Sequence, residues 1–111
     1  MKRIAIPTVN QLLTPHFGHC EQFAIVNIEN EQVTGIEYVN PPAHQPGVYP
    51  AFLAGLGVNV IISGGMGQKA QSLFAANSIE VVIGIDHGSP RELVEMYLGN
   101  RLVAGNNLCH H

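Results

Sequence analysis

Gly64, Gly65, Met66 and Gly67, with Lys69 close behind, follow the apolar run of residues 58–62 and open the next helical pattern. A buried strand that runs into a glycine-lined helix start presents free N–H groups and the positive end of a helix dipole, which together bind anions. Glycines at such a junction permit positive φ and close approach of a ligand; their plain structural use is tight packing of helix on strand. A second set of chemical groups is His16, His19 and Cys20. If Thr14 caps a helical turn that Pro15 starts, these three stand at i, i+3 and i+4 on one face. A thiolate with imidazoles favours copper or zinc over magnesium or calcium. Gly18 works against that turn, and Cys20 has the alternative of a small buried apolar residue. Cys109, His110 and His111 repeat the same ligand types in a tail expected to be flexible from about residue 103, and the two final histidines also suit the remnant of a purification tag. His44 falls among the prolines of residues 40–47, where a solvated loop residue is the plain reading.

The elements that would position these groups follow from periodicity. Residues 3–9 read as a central strand, and residues 23–28 and 33–39 as a hairpin around a polar turn. Pro50, Phe52, Leu53 and Leu56 supply a helix ending at Gly57. A βαβα run then follows: strand 58–63, helix 67–76, strand 80–85 and helix 90–98. The last helix is the best signalled, with Ser89 as cap, Pro90 in the first turn, Glu92 at the capping-box position and Gly99 at the end. This predicts an α/β fold, a mixed five-stranded sheet of order 3-2-1-4-5 with helices on both faces. Its first, fourth and fifth strands are parallel, so Asn10, residues 63–67 and the Asp86, His87, Gly88 segment gather on one rim, where open α/β sheets bind ligands.

Length and composition narrow the function. The 111 residues, 46% hydrophobic and 12% charged, suit one domain over the whole chain. Net charge is −3 and the five basic residues are scattered, which argues against a nucleic-acid surface. Apolar runs are too short to span a membrane and the start lacks the apolar core of a signal peptide, so a cytoplasmic location is expected. Two distant cysteines without a C-x-x-C indicate neither a disulfide framework nor a zinc ribbon. A magnesium-dependent nuclease of ribonuclease-H type needs carboxylates on the central strand, and residues 2–10 hold none. One enzyme reading stays open: residues 65–70 fit G-x-G-x-x-A and Asp86 lies about 20 residues on, the pattern of a nicotinamide or nucleotide site.

Taken in order, His16, Phe17 and Gly18 after the first strand, His44 before the first helix, the loop of residues 64–67 and the closing Tyr97, Leu98 and Gly99 resemble the dinitrogenase iron–molybdenum cofactor biosynthesis family. The resemblance spans nearly the whole chain, and Cys109, His110 and His111 are similar to the Cys/His tails of some members. It implies a ribonuclease-H-like fold without nuclease chemistry and a non-enzymatic role in binding, carrying or protecting an anionic metal–sulfur cluster. The member it resembles most carries a sulfur-bridged molybdenum–copper cluster; the alternative cargo is the iron–molybdenum cofactor or a precursor. Proteins that donate or accept the cluster would be partners. Asn10, His16, Gly64, Gly65, Met66, Gly67, Lys69 and His87 are then the candidate cluster contacts, and His16, His19, Cys20, His44 and Cys109 the candidate metal ligands. Whether the metal is ligated directly or held by hydrogen bonds and electrostatics stays open.

Overall fold

The structure is a computed structural model that describes residues 2–14, 20–42, 48–85 and 87–99. Its elements are β1 (Lys2–Val9), β2 (Leu12–Leu13), β3 (Gln22–Glu29), β4 (Gln32–Val39), α1 (Val48–Gly55), β5 (Val60–Ile62), α2 (Gln68–Ala76), β6 (Glu80–Val82) and α3 (Pro90–Leu98). The fold is mixed α/β. One six-stranded sheet runs β4-β3-β1-β5-β6, with β2 paired to β1 off that path. The expected count of five strands is thus corrected to six, and 3-2-1-4-5 becomes 4-3-1-5-6 because the short strand takes the second number. β2 escaped the sequence reading because it is two residues long and its turn, Asn10 and Gln11, lacks the glycine that usually marks a two-residue hairpin.

β1 is central because its side chains are apolar on both faces. Ile4 and Ile6 join Ala24, Val26, Ile28, Val60 and Ile62 beneath Leu93 and Val94 of α3. The intervening Ala5 joins Phe23, Ile25 and Ile61 beneath Tyr49 and Leu53 of α1 and Phe74 of α2. This alternation is the period-two rule of a strand covered on both sides. Each fully buried Ile or Phe contributes about 1.5–3 kcal/mol by leaving water. Phe74 is the one buried residue of α2, so it fixes the distance and rotation of that helix on the sheet.

β1 pairs antiparallel with β3 from Lys2↔Ile28 to Thr8↔Gln22, and parallel with β5 at Ile4↔Val60 and Ala5↔Ile61. Beyond Ala5 the β5 side of β1 is vacated, and the chain folds back into it: Thr8 pairs with Leu13 and Val9 with Leu12. β5 and β6 are shorter than the expected strands because residues 63 and 83–85 leave the ladder. α3 keeps its expected bounds, with the Ser89 hydroxyl accepting from the Glu92 N–H at 3.3 Å.

Candidate functional site

Three backbone segments meet at the C-terminal end of the parallel strands. The Leu13 N–H donates to the Gly88 carbonyl (3.0 Å), the Gly84 N–H to the Gly64 carbonyl (2.9 Å), and the Ile85 N–H to the Ser63 carbonyl (3.4 Å). β2, folded back on the tip of β1, the glycine loop and the chain before α3 therefore share one rim.

Within the loop, every carbonyl from residue 64 to 67 has a donor. Gly64 receives the Gly84 N–H, Gly65 the Ser63 hydroxyl at 3.2 Å, Met66 the Gln71 side-chain amide at 2.9 Å, and Gly67 the Gln71 backbone N–H at 3.1 Å. The N–H groups of Gly64, Gly65 and Gly67 find no acceptor among the described residues. Gly64 and Gly65 are buried, and buried N–H groups are nearly always satisfied. The first turn of α2 adds to this surplus of donors: Gly67 caps it without a side-chain hydrogen bond, no acidic residue stands in it, and Lys69 brings positive charge. An acceptor-rich anion suits such a surface.

The loop glycines serve in a different way than expected. Positive φ falls at Gly57, Gly84 and Gly88, not at residues 64, 65 or 67. Gly67 has φ −61°, and a Cβ there would meet nothing within 4 Å. Its missing side chain leaves open space over the start of α2.

The other candidates divide. The Met66 side chain, 1% exposed, packs in the core under α1 and α2, so it reaches the rim through its main chain alone. Asn10 lies on the rim with φ 55°, but its N–H donates to a carboxylate oxygen of Glu21 (3.3 Å), which places negative charge there. His87 is exposed beside Gly88. Cys20 is half-buried against the core beside Tyr49, and burial pushes its thiol up to about 11. His16, His19, His44, Cys109 and the nucleotide-site candidate Asp86 lie outside the described residues. Among the described residues no cluster of three His, Cys, Asp or Glu side chains could hold a metal ion. A groove of about 490 Å³ at the opposite end of the sheet is lined by Glu31, Gln32, Val33, Arg91, Glu95, Leu98 and Gly99, a mixture of charges without the donor surplus of the loop.

Sequence reasoning missed Ser63 and Gln71. The one legible signal was a serine closing an otherwise apolar strand; Gln71 reads as an ordinary helix-surface residue.

The chain is similar to several known proteins. The protein MJ0580 of Methanocaldococcus jannaschii is 37% identical over 107 residues, which cover 92% of this chain and 90% of that one. The crystal structure of PH0822 superposes with a TM-score of 0.86 at 28% identity, covering 96% of both chains. The apo form of the orange protein of Desulfovibrio gigas gives a TM-score of 0.77 at 25% identity, covering 96% of this chain and 95% of that one. Residues 1–100 match the family described as dinitrogenase iron-molybdenum cofactor, and the chain belongs to that family.

Proposed function

We propose that the protein binds and carries, or protects, an anionic molybdenum-containing metal–sulfur cluster and catalyses no reaction on it. The observation that carries this reading is the asymmetry of the loop: four consecutive carbonyls engaged, and the buried Gly65 N–H and the Gly67 N–H without an acceptor among the described residues, beside a helix start with no side-chain cap. Sulfide or oxide ligands of such a cluster accept hydrogen bonds and carry its negative charge, so the loop amides and Lys69 are the complementary groups. Family membership and the likeness to the orange protein support the class of cargo.

The finer reading is a molybdenum–copper sulfide cluster, with the iron–molybdenum cofactor or its precursor as the alternative, in a ribonuclease-H-like frame. His16, His19 and His44 are the proposed soft donors, with His87 and Asn10 at the rim and Cys109 as a tail ligand. Cys20 is the least available thiol of the set, because a ligand thiolate must first lose the proton that burial holds on it. Cluster donors or acceptors in the cytoplasm would be its partners. No helix of the described residues is long and apolar enough to cross a membrane.

Tetrathiomolybdate and a copper salt, added to the apo-protein, are expected to give visible charge-transfer bands that Gly65→Asp abolishes by placing a carboxylate among the amides. Absence of bands, or bands indifferent to Gly65→Asp, would overturn the proposal. Saturable binding of NAD or ATP, measured by calorimetry, would favour a nucleotide enzyme that uses Gly65, Gly67 and Asp86 instead.

A further inference from the structure

We infer that residues 101–104 dock along the outer edge of β4 as a parallel strand and bring Cys109 to the rim end of the sheet; the use of Cys109 there rests on the cluster-binding reading above. Residues 100–111 lie outside the described residues, and their course is inferred from where α3 delivers the chain. β4 closes one side of the sheet, and among the described residues nothing pairs with its outer edge. Such an edge offers a row of backbone donors and acceptors to one more strand. α3 packs on β4 and β3 and ends where Leu98 and Gly99 form the groove of about 490 Å³ with Glu31, Gln32 and Val33. The chain therefore leaves α3 beside the first residues of β4.

Handedness, charge and length then agree. α1 and α2 cross the sheet toward β6 on one face, and α3 crosses back on the other. Reversing both face and direction keeps the hand, so a parallel strand outside β4 completes a connection of the usual right-handed kind. In the groove Arg91 Nε lies 3.3 Å from the Glu95 carboxylate, which leaves Glu31 without an ion pair among the described residues. Arg101 is the first cation after Gly99. Strand alternation sets Arg101 and Val103 on one face, so a single placement brings Arg101 to Glu31 and Val103 to the half-buried Val33 and Ile36. The short tether from Gly99 favours this segment over a second copy, which has to be recruited from solution.

β4 is parallel to β1, because each is antiparallel to β3, so Val39 stands at the rim end. Val33 to Val39 covers about 20 Å of strand. Residues 100–109 reach at most about 33–36 Å, enough to bring Cys109 past Val39 with a turn at Gly105, Asn106 and Asn107.

A nitroxide on Cys109, in full-length Cys20→Ala protein without metal, is expected to broaden the amide signals of Val39 and Asn40 more than those of Gln32 and Val33. Val103→Asp should abolish that broadening and speed hydrogen exchange of the β4 amides about tenfold. Arg101→Glu should speed it about threefold, and adding Glu31→Arg should restore the parent rate. Broadening strongest at Gln32 and Val33, or absent from β4, would overturn the docking. Broadening between copies in a mixture of labelled and unlabelled protein would also overturn it, by seating a second copy on that edge. Should Cys20→Ala not fold, the exchange measurements in the otherwise unaltered chain carry the test. Binding of tetrathiomolybdate with copper should weaken about tenfold in Val103→Asp, and unchanged binding there would overturn the use of Cys109. If the parent protein binds neither, the cluster reading falls, while the nitroxide still decides whether the segment lies along β4.

Discussion

The two ends of the sheet satisfy their polar groups in opposite ways. At the N-terminal end of β1, Arg3 donates from Nε to the Asn27 side chain (2.8 Å) and from Nη1 to the Leu56 carbonyl (2.5 Å), and lies 3.7 Å from the Glu37 carboxylate. Asn59 closes the same end by accepting the Arg3 N–H at 2.9 Å and donating its own N–H to the Arg3 carbonyl at 2.8 Å. Donors and acceptors balance there, and folding alone accounts for the residues. At the C-terminal end the carbonyls of residues 64–67 are engaged, while the N–H groups of Gly64, Gly65 and Gly67 find no acceptor among the described residues. Backbone strain does not separate the ends. Asn10 and Gln11 have φ of 55° and 64°, and Asn30 and Glu31 at the opposite turn have 52° and 61°. The strain belongs to the hairpin geometry at both places. The unmatched N–H groups among the described residues, not strain, distinguish the two ends.

Arg3→Ala should produce the largest effect, at the balanced end. Two hydrogen bonds of a guanidinium are lost, while the ion pair to the exposed Glu37 contributes little. Urea unfolding should show a destabilisation of about 2–3 kcal/mol. Tetrathiomolybdate binding by the folded fraction should be unchanged; a loss of binding at 25 °C in a folded variant would mean that the two ends are not separable.

The next test sets two glycines of the same rim against each other. Gly88 has φ 141°, and a Cβ there would lie 2.8 Å from Leu93 Cδ2 and 2.9 Å from Leu93 Cγ. Leu93 is 2% exposed in the core beneath α3 and has no room to withdraw. Gly88→Ala should therefore cost about 2 kcal/mol of stability. Gly67→Ala, with open space and φ −61°, should stay within about 0.5 kcal/mol of the parent yet weaken tetrathiomolybdate binding. The chain itself requires glycine at 88. At 67 the protein's packing supplies no such requirement, so a stability loss at Gly67→Ala equal to that of Gly88→Ala would remove the distinction.

These contrasts also show what could be read from the residues alone. α3 was legible at both ends because Ser89, Pro90, Glu92 and Gly99 each act on their own helix terminus, a local effect. The core was legible because alternation in β1 and β3 encodes two covered faces. The glycine loop was legible as a strand-to-helix junction, but not its conformation: its glycines lack the positive φ expected of them, and the Gly65 and Met66 carbonyls are held by Ser63 and Gln71, which the sequence did not single out. Those hydrogen bonds span two and five positions of sequence. No periodic pattern records them. The proposed cargo rests on family resemblance, since amides and imidazoles specify charge and softness without naming a metal.

Cys20 gives the smallest effect and the finest division of the rim. It follows the His16 and His19 segment, yet it packs against the core with the Tyr49 hydroxyl beside it, and Tyr49 stacks edge-on against Phe23 at 5.2 Å. By that packing it is a core residue, although it stands just before β3 at the same end of the sheet as the rim. Burial raises its pKa from 9.0 to about 11, so the folded state holds the proton more firmly than the unfolded chain does. The sign follows from linkage: this contribution to stability is fully present below pH 9.0 and is lost as pH rises through about 11. In Cys20→Ala that particular decline should vanish from the alkaline limb of the stability curve. Alkylation of Cys20 by iodoacetamide in the folded protein should likewise stay slow at pH 9.0 and accelerate toward 11. Rapid alkylation near neutral pH would move Cys20 to the other group, as a thiolate available to a metal.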